Sequence, residues 1–171
     1  GLSFDSASGL TATVVHLFNH GVTKGAIFLL LGGVALRSGA ASISVGSLAG
    51  LGRRMPLTAF GLVIAGLSLI GVPGTAGFVT KWFLILGAIE REAWWVVGAI
   101  LASSLIAVAY VWRLVEAAYL RAGQGTRREA PAGMLAAGLA MAGLCVYFGF
   151  FTSINVAGAS DAASFLLRGA R

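Results

Sequence analysis

The chain has 171 residues, 58% of them hydrophobic and 11% charged, with a mean hydropathy of +0.91. A soluble core needs far less apolar material, so composition alone places the protein in the membrane class. Its formal charge of +6 is clustered between apolar runs, unlike the continuous basic face of a nucleic-acid binder, and its single cysteine, Cys145, excludes a disulfide framework or an iron–sulfur ligand set.

The first predicted helix runs from about Gly9 to Leu36 and holds only three ionisable residues, His16, His20 and Lys24, each four positions from the last. At 3.6 residues per turn this spacing stacks them on one slowly drifting face, about 6 Å apart. A charge at membrane depth costs about 2.5–3.5 kcal/mol on insertion scales, so a chain that keeps one there generally uses it. Lys24 lies near the middle of its run, about 15 Å from either interface of a ~30 Å core and beyond the reach of a snorkelling stem.

A Gly- and Ser-rich loop from Arg37 to Met55 ends in Arg53 and Arg54, and Pro56 then opens a second helix that ends near Ile70. The stretch Gly71 to Gly77 carries Gly71, Pro73, Gly74 and Gly77 and is predicted to break the helix at membrane depth, where freed backbone must be covered by protein or a water cavity. A short third segment, Phe78 to Ile89, carries Lys81 just behind the break. Glu90, Arg91 and Glu92 mark a water interface, and Trp94 and Trp95 open the fourth segment as belt residues. That segment extends to about Leu120, with Arg113 and Glu116 spaced to meet on one face, as an interfacial pair or, less simply, as accessory groups of an ion path.

Basic residues Arg121, Arg127 and Arg128 occupy the next loop, and Pro131 opens a fifth segment that ends near Phe151. The expected organisation is an all-α bundle of about five membrane segments over residues 1–153, then a short tail over 154–171 with an amphipathic turn around Phe165, Leu166 and Arg168. The start at Gly1, without methionine or a signal pattern, reads as a fragment or a split product. Orientation stays open: if the second and third segments form one interrupted crossing, loops 37–55 and 121–130 share a side with six basic residues, and otherwise they oppose one another with three each.

Lys24 and Lys81 are the only lysines, and both fall within apolar segments. Low dielectric disfavours the charged form of an amine, so a buried lysine can take and release a proton near neutral pH, and histidine already titrates there. His16, His20, Lys24 and Lys81 are therefore candidate proton-relay groups, with Asn19, Thr23 and Thr80 as holders of bridging water. Glu90 and Glu92 are candidates for the mouth of that path, although solvated loop charge accounts for them more simply. A zinc site at His16 and His20 lacks a zincin glutamate, a third histidine and any acid in the segment, so no metal or other cofactor is expected.

Three blocks resemble the carboxy-terminal half of the antiporter-like membrane subunits: HLFNHGVTKGAIFL from His16, LAGLGRRMPLT from Leu48 and GVPGTAGFVTK from Gly71. That family includes the large proton-pumping subunits of respiratory complex I, their relatives in membrane-bound hydrogenases, and subunits of Mrp-type cation/proton antiporters. The resemblance, from about Thr11 to Leu120, implies the second of two inverted five-helix repeats and the final helices. It makes Lys24 the middle relay on a central hydrophilic axis, His16 and His20 linking groups, and Lys81 the exchange group on an interrupted helix. A lysine at 81 followed by Trp-Phe-Leu resembles the D-type antiporter subunit more than the complex I subunit with a glutamate there. Gly74 stands where the family usually has a second proline, and the whole first repeat is absent.

The expected function is accordingly proton relay in a multisubunit monovalent cation/proton antiporter. The alternatives are the proton-pumping membrane arm of an NADH-quinone oxidoreductase or membrane-bound hydrogenase, and a non-transporting scaffold. No bond-making chemistry is expected of the chain by itself. Expected partners are the lipid bilayer of the bacterial inner membrane, other membrane subunits including the missing amino-terminal half, and the transported protons with Na+ or K+; nucleic acid is not expected.

Overall fold

The computed structural model describes residues 7–39, 43–123 and 128–169, with side chains described for 9–39, 43–123 and 128–165. Gly1 and Arg127 lie outside the described residues, as do the side chains of Leu166 and Arg168. The described chain is all-α. Its helices are α1 (Ala7–Ser38), α2 (Leu51–Arg54), α3 (Pro56–Ile70), α4 (Ala76–Glu90), α5 (Trp94–Val115), α6 (Ala132–Phe150) and α7 (Thr152–Gly169).

Helix α1 is the central post, 32 residues and about 48 Å long at 1.5 Å per residue. Small residues on its neighbours let it pack closely. Leu30, fully buried, fills the spaces left by Gly61 of α3 and Gly138 of α6, where an added Cβ would approach it to 2.8 and 2.7 Å. Without a hydrophobic drive between helices in lipid, such small-residue contacts are the main source of packing energy.

Among the described residues, α1, α5 with its continuation to Leu120, and α6 are each long and apolar enough to cross a bilayer alone. Helices α3 and α4 have 15 residues each, about 22 Å, short of a ~30 Å core. They act as two halves of one crossing. Helix α5 runs antiparallel to both, with Val111 against Gly66 of α3 and Ser104 on Lys81 of α4.

The loops agree with this arrangement. Arg37 donates its Nε–H to the Glu129 carbonyl at 2.7 Å, the Gly50 N–H reaches the Ala117 carbonyl at 3.0 Å, and the Arg128 N–H reaches the Arg54 carbonyl at 3.0 Å. The loops after α1 and before α6 therefore meet at one end, and the five apolar segments make four crossings. At that end α2 turns into α3 through 115°.

Glu129 anchors the arrangement. Its carboxylate accepts the Leu57 N–H at 2.8 Å, the Thr58 N–H at 3.3 Å and the Thr58 hydroxyl at 2.8 Å. These are orphan donors of α3's first turn, where negative charge is favoured. Glu129→Ala is expected to cost about 1–2 kcal/mol of stability, read as a lower melting temperature of the assembled protein in detergent.

The expected Arg113–Glu116 pair does not form. Residues Glu116–Leu120 close as a π-helical turn, so the Arg121 N–H meets the Glu116 carbonyl at 3.2 Å and its guanidinium Nη2 meets the Glu116 carboxylate at 3.0 Å. The wider turn brings Arg121, at i+5, beside the Glu116 carboxylate, and Arg113, at i−3, is left exposed. Residues 152–169, after α6, form α7 against the amino-terminal half of α1, with Ala159 buried beside Val15, where the sequence suggested only a short tail with an amphipathic turn.

Candidate functional site

The interruption in the α3–α4 crossing is built by backbone geometry. Gly71 sits at φ 88°, and the Val72 N–H bonds the Leu67 carbonyl at 3.1 Å, closing α3 with a Schellman motif that favours glycine at this position. Gly74 follows at φ 86°, and Gly149 of α6 lies against its backbone. Helix α4 then restarts beside the last turn of α3, with the Gly77 N–H donating to Ser68 Oγ at 3.3 Å.

Lys81 sits one turn into α4 and reaches back across the break. Its Nζ donates to the Ile70 carbonyl at 2.7 Å, the Leu69 carbonyl at 3.3 Å and Ser104 Oγ of α5 at 2.7 Å. An ammonium has three protons, and each has an acceptor here. Two of those acceptors are last-turn carbonyls of α3, the negative end of its dipole, so the cation stabilises the broken end directly.

A line of hydrogen-bonded polar groups crosses the helices at this depth. Asn155 of α7 donates to Asn19 Oδ1 at 3.1 Å, and buried Asn19 donates to Thr80 Oγ1 at 2.9 Å and to the Ala76 carbonyl at 3.0 Å. Thr23 Oγ1 lies 3.0 Å from Ser68 Oγ and 3.4 Å from Cys145 Sγ. Asn19→Ala would remove this hub and strand buried partners. The expected loss is about 1–3 kcal/mol, seen as a lowered melting temperature.

His16 and His20 lie beside this line, their ring centroids 4.3 Å apart and tilted by 54°. With Thr23, Ser68, Thr80 and Lys81 they line one small cavity of about 10 Å³, close to what one water molecule needs. His16 Nδ1 is buried and has no hydrogen-bond partner among the described residues. A single water in that cavity is the natural partner, since it needs polar neighbours and finds several.

Lys24 departs from the expectation of an enclosed amine. It is exposed on the outer face of α1, in line with Leu17, Gly21 and Phe28, of which Leu17 and Phe28 are 75% and 72% exposed. The reason is rotational: steps of four residues advance the side chain by about 40° each, so the ladder turns by about 80° from His16 to Lys24. His16 and His20 are half-buried, and the third rung leaves the cavity. Glu90 and Glu92 are exposed in the α4–α5 turn, about 13 Å or more along α4 from Lys81, so neither they nor Arg113 and Glu116 line the cavity. Among the described residues no group of three histidine, cysteine or acidic side chains is arranged to hold a metal ion.

Sequence reasoning missed Ser68, Ser104 and Asn155. Ser68 and Ser104 each sit within an apolar run, a weak signal of a polar contact between membrane helices. Asn155 had no signal, because its role depends on where α7 docks.

Comparison with known proteins gives a consistent outcome. The family described as NADH:quinone oxidoreductase/Mrp antiporter, transmembrane, matches residues 1–107. A protein named NADH-quinone oxidoreductase subunit N from Desulforudis audaxviator is 38% identical over 133 residues, covering 77% of this chain and 26% of the relative. Subunit N 2 of Symbiobacterium thermophilum is 32% identical over 115 residues, covering 67% and 22%. The chain thus spans about a quarter of the length of these relatives. Among solved structures, a chain of the Mrp complex from a Dietzia species has the same fold, with a TM-score of 0.84 at 19% identity over 94% of this chain and 38% of that one.

Proposed function

This chain belongs to the NADH:quinone oxidoreductase/Mrp antiporter membrane family, and from that premise we propose that it carries protons through His16, His20 and Lys81 as part of a multisubunit monovalent cation/proton antiporter. The observation that carries this reading is the convergence of two imidazoles, an ammonium and four hydroxyl- or amide-bearing side chains on one cavity inside an apolar bundle. A proton entering at the histidines passes by way of water to Lys81, and Lys81 releases it on the other side of the break. Lys24 takes the next position outward. On this reading its exposed face is covered by the part of the relatives that this chain does not span, and the helices described here form the second repeat and closing helices of the subunit.

Sidedness follows from charge. Arg37, Arg53, Arg54, Arg121 and Arg128 gather at one end, against Arg91 in the α4–α5 turn at the other. The positive-inside rule assigns the arginine end to the cytoplasm of a bacterial inner membrane.

The test is proton flux in vesicles containing the assembled complex, followed with a pH-sensitive dye. Substituting His16 and His20 together by phenylalanine is expected to cut flux several-fold while leaving assembly intact. Unchanged flux would remove the histidines from the path. The 38% identity to a subunit N supports a second reading, the proton-pumping membrane arm of an NADH-quinone oxidoreductase. Copurification with subunits that oxidise NADH would favour that assignment, and cation-dependent acidification without them would favour the antiporter.

A further inference from the structure

At the end of the bundle away from the polar cavity, Arg37 of α1, Arg54 of α2 and Arg128 ahead of α6 surround a second cavity of about 210 Å³, together with Ser38 and Ser47. We propose that this cavity binds a phosphate group, with an anionic phospholipid headgroup as the favoured source and free phosphate as the other.

Like charges repel and planar guanidinium forks are shaped for phosphate oxygens, so an anion in this space would relieve the crowding of the Arg37 and Arg128 side chains. Two of the guanidinium groups are fixed by the fold: Arg37 is tied by its Nε–H to the Glu129 carbonyl and Arg54 by Nη2 to the Ser47 and Ala49 carbonyls at 3.1 Å each, while the backbone N–H of Arg128, bonded to the Arg54 carbonyl, fixes where the third side chain leaves the main chain. The nearby carboxylates are occupied elsewhere: Glu129 caps the first turn of α3, and Glu116 pairs with Arg121. Arg37 and Arg128 form no ion pair among the described residues.

The volume is below the roughly 300–1,000 Å³ of pockets for organic ligands and suits a compact oxyanion. A lipid source is favoured by the surroundings. Leu36 beside Arg37 and Leu57 at the start of α3 are 66% and 51% exposed, so apolar surface for acyl chains adjoins the cationic cavity at the end of three spans.

The experiment uses the assembled complex in detergent, with phosphatidylglycerol, phosphatidylcholine and inorganic phosphate as probes and melting temperature and retained lipid as readouts. Phosphatidylglycerol is expected to protect and phosphatidylcholine is not. Arg128→Gln keeps the backbone bond to Arg54 and so tests the charge in a folded variant; apparent affinity should fall about 5-fold, and about 30-fold when Arg37→Gln is added. Equal protection by inorganic phosphate that both variants weaken would sustain the site and assign it to the free ion. Protection by phosphatidylglycerol that is the same in wild type and double variant would overturn the proposal.

Discussion

Replacing Lys81 by arginine is expected to leave the subunit assembled yet stop proton-coupled flux, whereas replacing it by methionine should damage both. The two outcomes separate because Lys81 has two jobs at one nitrogen. Its cation caps the Leu69 and Ile70 carbonyls at the broken end of α3, a role that needs positive charge and donors. The proposed relay instead needs the nitrogen to give up a proton. Arginine supplies charge and five donors but does not deprotonate in proteins. Methionine keeps the length and loses both properties. Flux in vesicles should therefore fall by at least about 10²-fold in either variant, the scale of a lost proton-transfer group. Thermal stability should drop by about 2 kcal/mol only with methionine, since hydrogen bonds from a charged donor are worth about 1.5–3 kcal/mol. Normal flux in the arginine variant would reduce Lys81 to a helix cap.

The apolar helices from α3 to α6 were legible because clear signals bound them, whereas α7, read as a short tail over 154–171, has no such signal. Pro56 opens α3 at the residue where the second segment was expected, Trp94 opens α5, and the glycines from Gly71 to Gly77 produce the break through two left-handed residues. The polar face of α1 was legible in part. Four-residue spacing identified His16, His20 and Lys24 as neighbours, but the rotation accumulated over two steps decides whether the last one is inside, and that depends on which helices pack where. With α3 and α4 on one side of α1, His16 and His20 reach the cavity and Lys24 does not. The acceptors of Lys81 were illegible for a different reason: two are main-chain carbonyls, which every residue carries, and the third is Ser104, 23 positions away.

The four-crossing arrangement also answers what the loops alone left open. Contacts from Arg37 to Glu129 and from Gly50 to Ala117 require α3 and α4 together to make a single passage. The break then lies inside that passage, between two half-helices too short to span separately, and Lys81 and the polar cavity flank it. An interruption at such a place is tolerable because Lys81, Ser68 and Asn19 supply partners for backbone groups that lipid would leave unsatisfied.

Gly77→Ala is expected to be the most damaging glycine-to-alanine substitution among the described residues. A Cβ at residue 77 would overlap the Ser68 carbonyl, a backbone group that cannot rotate away as a side chain can. Relief requires α3 and α4 to separate at the break. That movement would stretch the Gly77–Ser68 bond and displace Ser68 from Thr23, opening the polar line as well as the packing. Overpacking at a site that cannot yield costs about 3 kcal/mol, enough to deplete the assembled protein. Gly143→Ala is the matched control: on the exposed face of α6, nothing lies within 4 Å of the added carbon, and alanine favours helix by up to about 1 kcal/mol. Detergent-solubilised complex followed by size-exclusion chromatography and thermal melting should show the first variant depleted and destabilised, the second unchanged or slightly more stable. Equal behaviour of the two would mean that α3 and α4 do not meet at Ser68 and Gly77, and the cavity between them would lose its wall.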